Sequence, residues 1–210
     1  MIRADDLFDL SHTAASALFR EGEDAYLALT RIKDEIINIG KNSGYPEISE
    51  GIFLHPEASI DKSATILPPC VIGRSEIRPG AYIRGNVIIG DGAVIGNSTE
   101  IKNAIIFDGA QLPHYNYVGD SVIGYRGHLG AGAIASNFRL DHKSVKINID
   151  GERIDTGLRK LGVLLGDRAE VGCGSVLCPG TVIGRDAVVY PLSCVTGVVG
   201  EGEKFKGGRD

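Results

Sequence analysis

Residues 165–200 read LGDRAE VGCGSV LCPGTV IGRDAV VYPLSC VTGVVG, six units of six residues, each opened by an aliphatic side chain: Leu165, Val171, Leu177, Ile183, Val189 and Val195. A second run, IRPGAY IRGNVI IGDGAV IGNSTE IKNAII, keeps the same register through Ile77, Ile83, Ile89, Ile95 and Ile101. Its fifth position is small or β-branched (Ala81, Val87, Ala93, Thr99, Ile105). Ile60, Ile66 and Ile72 repeat the step of six, as do Ile106, Leu112 and Val118, and then Ile123, Leu129 and Ala135; isolated steps of five separate these blocks. Strand alternation in a sandwich or barrel has period two and does not require a glycine every sixth residue. A period of six is one short strand and one turn per unit, with the first side chain inward and successive coils stacking these aliphatics into ladders. The sequence therefore predicts a mainly β solenoid of hexapeptide repeats.

Composition agrees with this and sets limits. Of 210 residues, 43% are hydrophobic and 23% charged, too apolar for a disordered chain. Only Gly22, Gly40 and Gly44 of the 29 glycines precede residue 51, so the turn-rich part begins near there. Net charge is −5 with no lysine/arginine run, so neither nucleic acid nor an anionic membrane is an expected partner. No apolar stretch reaches the roughly 18–20 residues that span a bilayer. The opening MIRADDLFDL lacks the basic and apolar regions of a secretory signal. Four cysteines without a CxxC pair fit reduced thiols and a cytoplasmic location.

Three segments follow: an N-terminal helical segment 1–50, a solenoid 51–204 and a tail 205–210. Within the first, Ala25, Leu29, Ile32, Ile36 and Ile39 form a helical stripe, with Arg31, Lys33, Asp34 and Glu35 largely off it. Gly40 or Gly44 ends that helix, and residues 12–20 suggest a shorter one joined across Glu21–Gly22. The stripe is expected to pack on the solenoid end, which needs a cap, or on a neighbouring subunit. Within the solenoid, residues 139–162 depart from the repeat. SVKINID-GERIDTG reads as a β-hairpin turning at Asp150–Gly151, extruded from one corner.

Irregular positions carry the chemistry. His114, Tyr117, His128, Asn137, His142, Lys143 and Lys146 interrupt the small turn residues, and Arg78, Arg84, Glu100 and Lys102 do so upstream. Cations from neighbouring coils can converge on one anion, and a histidine beside them can act as a base near neutral pH. His114, His128 and His142 recur every fourteen residues, which does not match a coil, and there is no His-x4-His pair; no metal is expected.

Over about residues 52–200 the chain resembles the C-terminal acetyltransferase domain of the bifunctional glucosamine-1-phosphate acetyltransferase / N-acetylglucosamine-1-phosphate uridylyltransferase family. The matching strings are IRPGA (77–81), STEIKN (98–103), PHYNYVGDSVIG (113–124), LGAGAIASNF (129–138) and HKSVK (142–146). The segment TGLRKLGVLLGD (156–167) is more similar to the archaeal-type sugar-1-phosphate nucleotidylyltransferase/acetyltransferases. The resemblance implies a left-handed parallel β-helix that assembles as a homotrimer with sites between subunits. It makes His114 the general base and Glu100 its acidic neighbour. Arg78 and Lys102 become phosphate ligands, and Tyr117, His128, Asn137, Lys143 and Lys146 further contacts to an amino-sugar phosphate. Acetyl-CoA, the implied acetyl donor, lies along a groove with Cys173 and Pro191. The chemistry requires such groups: the attacking amine loses a proton, the phosphate takes fixed positive charge, and the developing oxyanion takes a donor such as a backbone N–H.

Three departures bear on activity: His128 replaces the family's asparagine, Phe138 a tyrosine, and Cys173 a serine near the thioester. No glycine-rich nucleotide loop precedes the solenoid, so uridylyl transfer is not expected of this chain. Two functions remain. One is an acetyl-CoA-dependent N-acetyltransferase acting on glucosamine-1-phosphate or galactosamine-1-phosphate in nucleotide-sugar biosynthesis. The other is a non-catalytic module that binds a sugar phosphate or nucleotide sugar, or that pairs with a separate nucleotidylyltransferase.

Overall fold

A computed structural model describes residues 1–149 and 151–207. From Ile52 to Phe205 the chain winds as a β-solenoid whose strands stack coil upon coil into three parallel faces. The first face is the stack Ile52–Leu54, Cys70–Ile72, Val87–Ile89, the end of Glu100–Ile106, the end of Tyr117–Ile123, Val163–Leu165, Thr181–Ile183 and Val198–Val199. The second is an eight-stranded sheet from Ser59–Ile60 to Lys204–Phe205. The third runs from Thr65–Ile66 through Tyr82–Ile83 and the beginnings of the two seven-residue strands to Cys194–Val195. The aliphatics in step of six point inward as expected. Ile77, Ile83, Ile89, Ile95, Ile101, Ile106, Leu112, Val118, Ile123, Leu129, Ala135, Leu165, Val171, Leu177, Ile183, Val189 and Val195 belong to one buried cluster.

The steps of five have a structural meaning. The step from Ile72 to Ile77 passes from first face to second. The other two of the three, from Ile101 to Ile106 and from Val118 to Ile123, cross the corner from third face to first, so one strand runs through that corner on each of these two coils. Asn103 and Asp120 occupy these shortened corners in left-handed backbone, with φ of 46° and 47°. Ile105 therefore differs from the other fifth positions, because the missing residue turns Ala104 and Ile106 inward and Ile105 outward.

The N-terminal segment differs from expectation in form and place. Its main helix, Ala28–Asn42, buries Ala28, Leu29, Ile32, Ile36 and Gly40. Residues 12–20 form no second α-helix; the chain makes short 3-10 turns at Leu10–His12 and Ser16–Leu18. The segment does not cap the solenoid end. It lies lengthwise on the first face, where Phe53, Val71, Ile88, Ile105, Val122, Leu164 and Val182, all pointing outward, join Leu29, Ile32 and Ile36 in a second buried cluster. The reason is chemical: each first-face strand is apolar on both sides, and covering an outer aliphatic contributes about 1.5–3 kcal/mol. Gly40 permits the closest approach, since a Cβ there would collide with the Phe53 ring. Polar ties complete the dock. The Asp108 and Asp167 backbone N–H groups donate to the His12 and Leu7 carbonyls, and Asp9 N–H donates to the buried Asp167 carboxylate. His12 stacks on Tyr125 with ring centres 3.7 Å apart.

The extruded loop leaves after Asn137, whose carbonyl accepts from Leu161 N–H on the return. It contains the expected hairpin, Lys146–Ile149 against Glu152–Asp155. Asp150 of the expected turn lies outside the described residues, as do residues 208–210 of the expected tail; Gly151 has φ +82°. Val145 and Ile147 fold back onto the second buried cluster, close over Gly180. Among the described residues no helix is long and apolar enough to cross a membrane.

Candidate functional site

The corner between second and third faces forms a continuous ridge. Tyr115 N–H donates to the Asn97 carbonyl, Gly132 N–H to His114, Gly174 N–H to Ala131 and Leu192 N–H to Cys173. Asn97, His114, Ala131, Cys173 and Pro191 are thus equivalent positions on successive coils. At about 4.8 Å per coil, Cys173 lies about 10 Å from His114, with only Ala131 between them. The GAG of residues 130–132 and the GCG of 172–174 put only small residues on this stretch of the ridge. Arg78 lies at the same corner, two coils before His114, with its guanidinium on Glu76 at 3.0 and 3.1 Å.

His114 is exposed, and its imidazole makes no hydrogen bond to protein among the described residues. Its turn is fixed by Asn116, which sequence reasoning missed. The buried Asn116 amide donates to the Gly130 and Ala133 carbonyls at 2.9 and 3.2 Å and accepts from His114 N–H. The signal was present: Asn116 takes the inward corner position that Thr99 and Ala133 fill on neighbouring coils with smaller groups.

The third face carries the polar cluster. Tyr82, Glu100 and Tyr117 stand side by side on adjacent coils, and Lys102 is in register with Gly119. Glu100 holds Arg84 at 2.6 Å, so its carboxylate is committed to that guanidinium and not to His114. Lys102 Nζ lies 3.9 Å from the Asp120 carboxylate, which also accepts from Asn137 Nδ2 at 2.5 Å and Asn103 Nδ2 at 2.9 Å. Burial pushes the Tyr117 phenol above its ordinary range, against the hydrogen bond from Asn137, so it stays a neutral donor.

The chain thus brings Glu100, Lys102, Tyr117 and Asn137 together on one face, with Arg78, His114, Cys173 and Pro191 along its edge. Three expected residues lie elsewhere in the chain. His128 is on the second face, its Nδ1 2.6 Å from Glu170. Lys143 and Lys146 line a cleft of about 440 Å³ under the extruded loop with Arg139, Arg153 and Cys178. Among the described residues no group of three or more His, Cys, Asp or Glu side chains is placed to hold a metal ion.

Comparison with known proteins bears on this arrangement. The model of the GMPPB C-terminal domain matches residues 74–155. A bifunctional sugar-1-phosphate nucleotidylyltransferase/acetyltransferase of Sulfurisphaera tokodaii is 39% identical over 171 residues, 80% of this chain and 42% of that protein. The bifunctional protein GlmU of Methanococcus maripaludis is 41% identical over 111 residues, 53% of this chain and 27% of that protein. The chain is homologous to the C-terminal β-helix region of these bifunctional proteins. It spans less than half the length of either relative. A crystal structure of PerB from Caulobacter crescentus, in complex with CoA and GDP-perosamine, is 21% identical with a TM-score of 0.36, covering 71% of this chain and 50% of that one.

Proposed function

We propose that the chain is an acetyl-CoA-dependent N-acetyltransferase acting on an amino-sugar 1-phosphate, glucosamine-1-phosphate or galactosamine-1-phosphate, with His114 as general base. The observation that carries this reading is the ridge, where an exposed imidazole stands beside a stretch of small residues and borders a face bearing Lys102, Tyr117 and Asn137. Homology to the bifunctional relatives supports the same class of chemistry.

Acetyl-CoA, when bound, supplies a thioester carbonyl open to attack by an amine. His114, held by Asn116, offers its ring lone pair to the amine proton. Lys102 and Arg78 fix the phosphate by charge-assisted hydrogen bonds. Tyr117 and Asn137 orient the sugar, and the residues at Ala131, Cys173 and Pro191 bound the donor's path. Tyr82, Tyr115, Val176 and Leu192, large apolar side chains exposed on this face and ridge, support a homotrimer whose neighbouring chains close the groove.

The test is a thiol-release assay with acetyl-CoA and each amino-sugar 1-phosphate. Thiol release that depends on the amine is the expected result. Sugar-phosphate binding by calorimetry without any thiol release would overturn the catalytic reading and favour a non-catalytic binding module.

A further inference from the structure

We infer that Asp120 is a positioning residue that turns the Asn137 amide so its carbonyl oxygen is left to meet the sugar, making the site selective for a donor group such as an amine. The inference rests on the proposed role of Asn137 as a sugar contact.

Asp120 is 7% exposed and sits at a shortened corner with φ +47°, a backbone conformation uncommon for a residue with a side chain. Its carbonyl accepts from Gly162 N–H at 2.7 Å, which ties the corner to the returning limb of the extruded loop. Its carboxylate takes both neighbouring amides, Asn103 Nδ2 on one oxygen and Asn137 Nδ2 on the other, with Lys102 Nζ beyond. An ionised carboxylate only accepts, so each amide must turn its nitrogen towards it. These partners occupy Asp120, so it acts through Asn137 and not on the ligand.

Gly119 allows the second half of the arrangement. A Cβ there would lie 2.5 Å from Asn137 Nδ2 and 2.6 Å from the Tyr117 hydroxyl oxygen. Without one, the Asn137 amide and the Tyr117 hydroxyl both border the open space above Gly119. With its nitrogen held by Asp120, the Asn137 amide leaves its carbonyl oxygen to accept. A buried acceptor left without a donor is costly, so a ligand presenting N–H at that position is preferred over one that only accepts.

The experiment compares affinity for glucosamine-1-phosphate with that for 2-deoxy-2-fluoroglucose-1-phosphate, which cannot donate at C2. In the wild type the amine binds more tightly. In Asp120→Asn, where position 120 can present either nitrogen or oxygen, the ratio should fall about tenfold while acetyl-CoA affinity holds. The double variant Asp120→Asn/Asn137→Asp puts an acceptor back at position 137 and should restore the ratio. Equal weakening for both sugars, or an unchanged ratio, would overturn the inference, because loss of structure alone weakens both together. If the wild type binds neither sugar, the proposed function fails. Asn137 orientation is then read by nitrogen-15 NMR, where slow exchange of its side-chain protons, lost in Asp120→Asn, supports the positioning role and fast exchange in both proteins contradicts it.

Discussion

The first and third faces of the solenoid are built from the same repeat yet meet different fates. First-face strands such as Val87–Ile89, Val163–Leu165 and Thr181–Ile183 are buried throughout, on the inside by the core and on the outside by the N-terminal segment. Third-face strands such as Tyr82–Ile83 and Val176–Leu177 bury only the inward residue. A solenoid thus has one structural requirement, the inward ladder, and its outer surface is free for other uses. Here one outer face is given to stability and another, with its edge, to polar groups that no packing rule demands.

The sharpest way to break this contrast is at the edge. His114→Ala should lower turnover by roughly 10²–10⁴ with little change in melting temperature, because an exposed turn residue leaves no cavity when truncated. A large loss of stability would make His114 a structural residue and blur the division of labour. The covered face should show the reverse. Ile105→Ala, outward but fully buried, should cost about 2–5 kcal/mol in denaturant unfolding and spare activity of the folded protein. Ile134→Ala, outward on the third face and half-buried, should stay within about 1 kcal/mol.

Smaller effects sharpen the comparison. Lys102→Ala and Arg78→Ala should each weaken sugar-phosphate binding by about 1.5–3 kcal/mol, and more than acetyl-CoA binding, by calorimetry with each ligand. Equal losses would place these cations outside the phosphate site. On the covered side, burial and then the nearby Asp24 push the Tyr26 phenol up to about 12 from 10.0. A raised phenol protects the fold below its unfolded value and loses that contribution as pH rises through the folded one. Melting temperature should therefore fall between about pH 10 and 12, and fall less in Tyr26→Phe.

Much of this was legible in the residues. The step of six placed the inward ladder from Ile77 to Val195, because one buried side chain per unit leaves a regular trace in sequence. The helical stripe around Leu29, Ile32 and Ile36 was equally clear, but its partner was not. That partner was written in the apolar triplets VII, AII and VLL, which read as strands buried on both faces. Arg78, Lys102, Tyr117 and His114 stood out as breaks in the turn pattern and took their roles from resemblance, and their shared face and edge follow from the register. Asp120 and Asn116 escaped because each acts through hydrogen bonds between coils some 14–17 residues apart, which a period cannot encode. The only trace of Asp120 was the step of five.

The central claim is that ligands use the bare face and its edge, not the covered face. Hydrogen–deuterium exchange with and without glucosamine-1-phosphate and CoA tests it most directly. Protection should appear in residues 97–102, 114–120, 130–137 and 172–175, with the helix Ala28–Asn42 and the strands beneath it unchanged. Protection confined to that helix and the first face would contradict the account.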